Sequence, residues 1–537
     1  MKFDKKKRRM KMRRKVVKMK SKAKSILMIL ITLGIIFALL PVINNSLNFN
    51  AGNSNKSPKY RDDISLDNEK LKLSAVSGKI HIYDNWTATE STYSWCTGSG
   101  TSNDPYVIQD LIIDGGGSGF GIYIQFSTEY FKVENCTVYN SEEGINLNFA
   151  NNGTILGNNL TNNNYGIAIS DCKNSTISGN TVSNNNNGGI ALMYGNNNTI
   201  SGNNANNNTD FGINLQETDD NIVSGNTANN NNFGIKLFLS NNSKVSGNFA
   251  NNNINSGINL GETDDTIVSG NLVLNNGAGI FLDDSNYIKI LKNTANHNNG
   301  SGIGLGNTNY NGHLIQNNCS FNGEGITFES NCENNTVQGN IINNNTEYGI
   351  NLMESSNNYI MENTVNNNGN MGINLSPNSS YNEIVDNIVN FNGFGIHFND
   401  NSANNLILDN NCSHNIYGII VRTPNNTISG NYVEYNSVVG MHFWSADAYN
   451  NTQNNNITRN FIYNNNYGIK FTIEVGGFFG SESALNMFEG NRISDNTRGF
   501  EIDAGCNDNL IFNNTFSDNS DANAVDNGNN NNWIVVH

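Results

Sequence analysis

A Gly-Ile pair that returns every 22–24 residues constrains this chain more than any other feature. The glycines run from Gly121, Gly144, Gly166 and Gly189 without a break to Gly418 and Gly440, where Met441 replaces the Ile. Gly468 and Gly499 continue the series after longer steps of 28 and 31 residues. One stretch is nearly copied at a 45-residue offset: GINLQETDDNIVSGN from Gly212 and GINLGETDDTIVSGN from Gly257. Helical repeats need about 33 residues or more, so a unit this short excludes them. Within the unit the apolar residues alternate, as in Ile213 and Leu215, and period two signals short strands. No L-x-x-L-x-L frame of a leucine-rich repeat is present. Three strands of three to five residues joined by Asn/Gly turns make one coil of a parallel β-helix. The expected fold is therefore all-β, a parallel β-helix solenoid of about 17 coils of 22–24 residues over residues 121–533, entered through a segment at 76–120.

Asparagine has a structural task in such a coil. The chain holds 118 of them among 537 residues and only five prolines. Asn tolerates the left-handed backbone of tight turns. Stacked Asn side chains also hydrogen-bond from coil to coil. A second marker fits this use: an Asn about 14 residues after each glycine, as in Asn158, Asn180, Asn203 and Asn226. The position two after each glycine points away from the core and is expected to build a flat, exposed sheet: Tyr123, Asn146, Ala168, and later His397, Ile420, His442, Lys470 and Glu501.

The chain's first forty residues have another character. Residues 1–24 hold 14 basic residues and one acid, a net +13, which leaves −28 on the rest of a chain whose total is −15. An apolar run follows at 25–43 and a polar linker at 44–75. A basic flank before an apolar stretch reads as one N-terminal hydrophobic helix, a signal anchor or signal peptide, with the basic end cytoplasmic and the remainder outside. The acidic remainder excludes nucleic acid as a partner.

The repeat resembles the right-handed parallel β-helix repeats of the NosD-like and CASH (carbohydrate-binding and sugar hydrolase) group of the pectin-lyase-like superfamily, over about residues 76–533. Trp95-Cys96-Thr97-Gly98-Ser99-Gly100-Thr101 and Asp104-Pro105-Tyr106-Val107-Ile108 resemble the entry motif of surface proteins in that group. Members continue past an Asn-Trp pair like Asn532-Trp533 into a closing motif, so no C-terminal cap is expected here. The resemblance implies fold firmly and function weakly, because one superfold carries many activities.

Three chemistries follow from it. An enzyme of the hydrolase or lyase type needs an acid/base pair, and the candidates are Asp219 with Asp220, Asp264 with Asp265, and Asp283 with Asp284. The first two pairs are copies within a duplicated unit, which marks them as turn carboxylates. A NosD-like copper-maturation role needs clustered His, Cys or Met. His397 and His442 share a face but stand two coils apart, about 9.6 Å by coil stacking, so no metal or other cofactor is assigned. Cys96, Cys136, Cys172, Cys319, Cys332, Cys412 and Cys506 occupy no equivalent positions on neighbouring coils and read as ladder or core residues. About nineteen N-x-Ser/Thr sequons, such as Asn174 and Asn334, suit a glycosylated surface protein.

The third chemistry is binding. The two long steps insert residues after the glycine strand, at 444–453 and 472–487, where they form a lip over the outer sheet. Beside it lie His397, Arg422, His442, Trp444, Lys470 and Glu474, a mixture of aromatic and polar groups that suits sugar recognition. The expected function is an extracytoplasmic surface protein, membrane-anchored or secreted, that binds carbohydrate or an envelope polymer rather than turning it over. A polysaccharide-processing enzyme is the alternative.

Overall fold

One repeat makes one coil of three short strands. The computed structural model describes residues 75–399, 401–445, 452–473 and 483–534. Sheet 1 stacks the glycine strands, such as Phe211–Gln216. Sheet 2 stacks three-residue strands such as Ile222–Ser224. Sheet 3 alternates short strands like Thr181–Ser183 with single bridges such as Asn204 to Thr227. Pairing between coils is parallel throughout the described residues; the antiparallel exception is the entry hairpin that sets Cys96–Thr97 against Val107–Ile108.

Sheet 1 contains nineteen described strands, from Ile80–Tyr83 to Ala522–Asp526, hence eighteen steps from coil to coil. The glycine series marked seventeen. The two terminal strands, IHIY and ANAVD, lack the Gly-Ile pair. The marker glycine is a matter of space: a Cβ at Gly212 would lie 2.8 Å from the carbonyl oxygen of Gly234 in the next coil and 2.9 Å from Ala228 Cβ.

Inside, identical side chains stack. Ile190, Ile213, Ile235 and Ile258 stand in register and are fully buried. Each such side chain removed from water contributes about 1.5–3 kcal/mol, but no coil buries its face without neighbours.

Three columns of buried asparagine line the corners. At the corner after sheet 2, the Asn226 N–H donates to Asn248 Oδ1 (2.9 Å). Its Nδ2 donates to the same oxygen (3.0 Å) and to the Ile200 carbonyl (2.9 Å). The pattern repeats coil after coil, and also through Asn231 to Asn253 and Asn335 to Asn358 at the other corners. The ladder asparagine is not the left-handed residue of the turn. That conformation belongs to the residue before it: Gly225 (φ 63°) before Asn226, Asn230 (φ 57°) before Asn231 and Asn334 (φ 57°) before Asn335. The two uses expected of asparagine thus fall on adjacent positions.

The only described helix, Trp86–Thr92, closes the N-terminal end of the core. Its Trp86 indole donates to Ser127 Oγ (2.8 Å) and stacks on Tyr106 at 5.0 Å between ring centroids. Among the described residues no helix is long and apolar enough to cross a membrane. The segments at 1–24, 25–43 and most of 44–75, where the hydrophobic helix is expected, lie outside the described residues.

Candidate functional site

Parallel, in-register stacking turns the outward positions of sheet 1 into continuous rows. One row runs Asn374, His397, Ile420, His442, Lys470, Glu501. It is not the exposed surface expected from the sequence. His397 is 5% exposed, Ile420 1%, His442 9% and Glu501 6%. Each side chain is covered above and below by its neighbours in the row. A wall from the start of the same strands, Phe394, Tyr417 and Tyr467, covers it from one side. The row is the floor of a groove.

The opposite wall is Arg422, Trp444 and Thr472. Trp444 does not lie in an insertion. Strands Val439–Ser445 and Tyr467–Ile473 have seven residues each, the longest described, and pair Trp444 with Thr472. The residues inserted after them, at 446–451 and 474–482, lie outside the described residues, and Glu474 with them.

The two imidazoles are neutral. Burial pushes His397 down to about 3, with the charge of Arg422 adding to it. Burial likewise pushes His442 down to about 4, helped by Lys470 and Arg422. His397 Nδ1 meets Asn374 Oδ1 at 3.0 Å, and His442 Nε2 meets Thr472 Oγ1 at 3.1 Å. His442 lies between the rings of Tyr417 and Trp444, 5.7 Å from each centroid. Lys470 donates to Glu501 Oε1 (3.0 Å), and Arg498 reaches both Glu501 and Asp521. Burial opposes ionisation of Glu501, yet hydrogen bonds from Arg498 and Lys470 outweigh it and hold the carboxyl below its usual range. Arg422 lies over Trp444 and, among the described residues, makes no ion pair; its Nη1 reaches Asn399 Oδ1, at 3.4 Å.

The structure therefore brings His397, Arg422, His442, Trp444 and Lys470 into one groove. It offers hydrogen-bonding atoms that the protein leaves unused: Arg422 Nε and His442 Nδ1 are buried without a partner. Buried polar atoms are normally satisfied, so orphans mark places where a ligand or water completes the bonding. Asn146 Oδ1 and Asn148 Oδ1, on the same face of one early coil, are orphaned too. Sequence reasoning missed these two, because Asn146 looked like one more repeat asparagine.

The paired acids hold the coils together instead. Asp219 Oδ1 accepts the Asn241 N–H (2.7 Å) and Asp264 Oδ1 the Asn286 N–H (2.6 Å). Asp220, Asp265 and Asp284 are the left-handed residues of their turns (φ 57°, 53° and 46°). All seven cysteines are buried and unpaired. Two open grooves of about 660 and 630 Å³ run along the corner between sheets 3 and 1, beside Phe391, His414 and Tyr435, and not over the His397 row.

The family model of the periplasmic copper-binding protein NosD matches residues 98–260, and that of the right-handed β-helix region matches 234–326 and 279–433. A search of curated proteins finds no match. Solved structures of similar build include tailspike protein 2 of the Escherichia coli O157:H7 bacteriophage CAB120 (12% identity, 42% of this chain and 38% of that one, TM-score 0.33). The Dettilon tailspike protein is another (15%, 63% and 62%, TM-score 0.35). A third is the A-module of the Azotobacter vinelandii mannuronan C-5 epimerase (14%, 65% and 97%, TM-score 0.36). The chain spans less than two thirds of the length of either tailspike.

Copper needs nitrogen or sulfur ligands gathered on one ion. Among the described residues no three His, Cys, Asp or Glu side chains stand close enough together to hold a metal. The described His, Cys, Asp and Glu side chains thus offer no copper centre.

Proposed function

Because the chain is a right-handed parallel β-helix repeat protein of the NosD-like kind, we propose that it is a surface protein whose late coils bind carbohydrate or another envelope polymer in the groove over His397, Arg422, His442, Trp444 and Lys470. One observation carries this reading. The groove combines a half-open aromatic wall with buried nitrogen atoms, Arg422 Nε and His442 Nδ1, that have no partner within the protein. Aromatic faces against sugar C–H groups and unused donors or acceptors for hydroxyls are what saccharide recognition requires. Binding without turnover is favoured because, among the described residues, the buried carboxylate of the groove, Glu501, is held by two cations rather than free as an acid or base. The basic segment at 1–24 and the apolar segment at 25–43 supply the anchor in this reading, with the repeats outside the cell.

A glycan-array measurement on the purified chain, with a parallel assay for new reducing ends and unsaturated uronate, tests the proposal. Binding without product supports it. Product formation moves the chain to the polysaccharide-processing enzymes, and no binding to any glycan refutes it. Protease added to intact cells should reach the repeats; full protection there removes the external placement.

A further inference from the structure

The orphaned atoms on sheet 1 differ from one end of the solenoid to the other. On the sheet 1 side the late coils leave nitrogen atoms unused, Arg422 Nε and His442 Nδ1, whereas one early coil leaves oxygen atoms, Asn146 Oδ1 and Asn148 Oδ1; the remaining orphan, Asn456 Oδ1, lies on sheet 2. Asn146 is 8% exposed, and its Nδ2 is committed to Glu143. Nothing in its own row turns toward the free oxygen as a donor. Its in-register neighbours are Tyr123 and Ala168, and those of Asn148 are Gln125 and Ser170. The Tyr123 hydroxyl is already spent on Gln125 Oε1 (2.9 Å). Ala168 and then Ala191 leave the floor beyond Asn146 without bulk.

A second, independent feature borders the same rows. Phe126 and Phe149, each 48% exposed, stack at 5.5 Å with planes 3° apart, and Tyr83 meets Phe126 edge-on at 5.3 Å. Both phenylalanines are left-handed, at φ 55° and 50°. In the coils that follow, the same turn position holds Asp171, Tyr194, Glu217, Leu239 and Glu262, so no two rings stand side by side there. A bulky side chain strains the backbone at this position, and half of each ring stays in water, so neither local conformation nor core packing accounts for the phenylalanine pair.

We infer that the first coils carry a second saccharide subsite, centred on Asn146 and Asn148 and edged by Phe126 and Phe149, that takes a neutral, hydroxyl-rich sugar chain. Unused carbonyl oxygens accept hydroxyl donors, and the exposed rings take the C–H face of a pyranose. From Tyr123 to Ala191 and from Gln125 to Met193 the rows contain no lysine or arginine and stand beside Glu142 and Glu143, so an anionic sugar is repelled. The inference does not depend on the late-coil groove, which uses other side chains.

Isothermal titration of the purified full chain with cellohexaose, mannohexaose, hexagalacturonate and calcium chloride alone tests it. A neutral hexasaccharide should bind, about tenfold more weakly in Asn146→Leu, the loss expected for one hydrogen bond to a buried acceptor. It should bind more weakly also in the double variant Phe126→Ala/Phe149→Ala, and unchanged in Tyr287→Ala, which removes an equally exposed, left-handed ring elsewhere. If Asn146→Leu alters the circular dichroism or melting, the surface double variant decides alone. The inference is overturned if neither neutral hexasaccharide binds, if binding survives the double variant, or if hexagalacturonate binds more tightly. It is also overturned if calcium alone binds and Glu143→Gln abolishes that binding, which would make the free oxygens cation ligands.

Discussion

Arg422 lies over the indole of Trp444, its guanidinium carbon 4.9 Å from the ring centroid, although the two residues belong to different coils. The contact fixes one wall of the late groove and leaves Arg422 Nε unused. Removing the indole in Trp444→Ala should weaken binding of whichever glycan the array identifies by about 1–3 kcal/mol, as for a central aromatic anchor. The partly buried ring stands outside the Ile and Phe columns, so melting should change little. Titration and calorimetry on the same variant check both. Unchanged affinity would place the ligand elsewhere.

The asparagine ladders carry stability of a different kind. In Asn226→Leu the N–H and Nδ2 of Asn203 lose their acceptor, and the Ile200 carbonyl loses a donor. Each buried polar group left unpaired costs about 1–3 kcal/mol. The variant should be destabilised by about 2–5 kcal/mol, measured as a shift of the denaturation midpoint in guanidinium. Hydrogen exchange should rise first at the coils on either side, since each coil contacts only its neighbours.

Acid should weaken the late coils before the rest. His397 and His442 are neutral in the fold, held down to about 3 and about 4, whereas an unfolded histidine takes up its proton near 6.5. Between those values the unfolded chain binds more protons, so stability falls as pH falls, beginning near 6.5 and levelling off below the folded values. The slope is at most about 1.4 kcal/mol per pH unit for each histidine. Between pH 6.5 and 5 few carboxylates titrate, and the double variant His397→Asn/His442→Gln should lose this part of the dependence in thermal melts. A melt equally pH-dependent in that variant would place the titration elsewhere.

The thiols should be silent until the chain unfolds. All seven cysteines are buried. Burial pushes Cys136 and Cys332 up to about 11 and Cys172 and Cys506 up to about 12, so none supplies a thiolate at neutral pH. A disulfide-exchange dye should react with none in the native protein and with seven in denaturant. Reductant should leave the melting temperature unchanged.

The coil was legible in the sequence because a solenoid repeats its constraints. Gly212 and Gly257 are glycines for one reason, the backbone of the next coil, and Ile213 and Ile258 are apolar for one reason, the column they join. The cysteines were readable in the same way: Cys172 and Cys319 stand where other coils place small ladder or core residues. What the sequence by itself determined is therefore the fold, the coil length and the inner face. Tertiary structure alone decided the roles of residues that look alike along the chain. Asn230 makes the turn and Asn231 the ladder, although the two are adjacent asparagines that differ only in which side of the corner they face. Asp219 became a ladder member because the Asn241 N–H lies opposite. The outward row sank into a groove because parallel register puts a neighbour on each side of His397 and His442, a burial no single repeat contains.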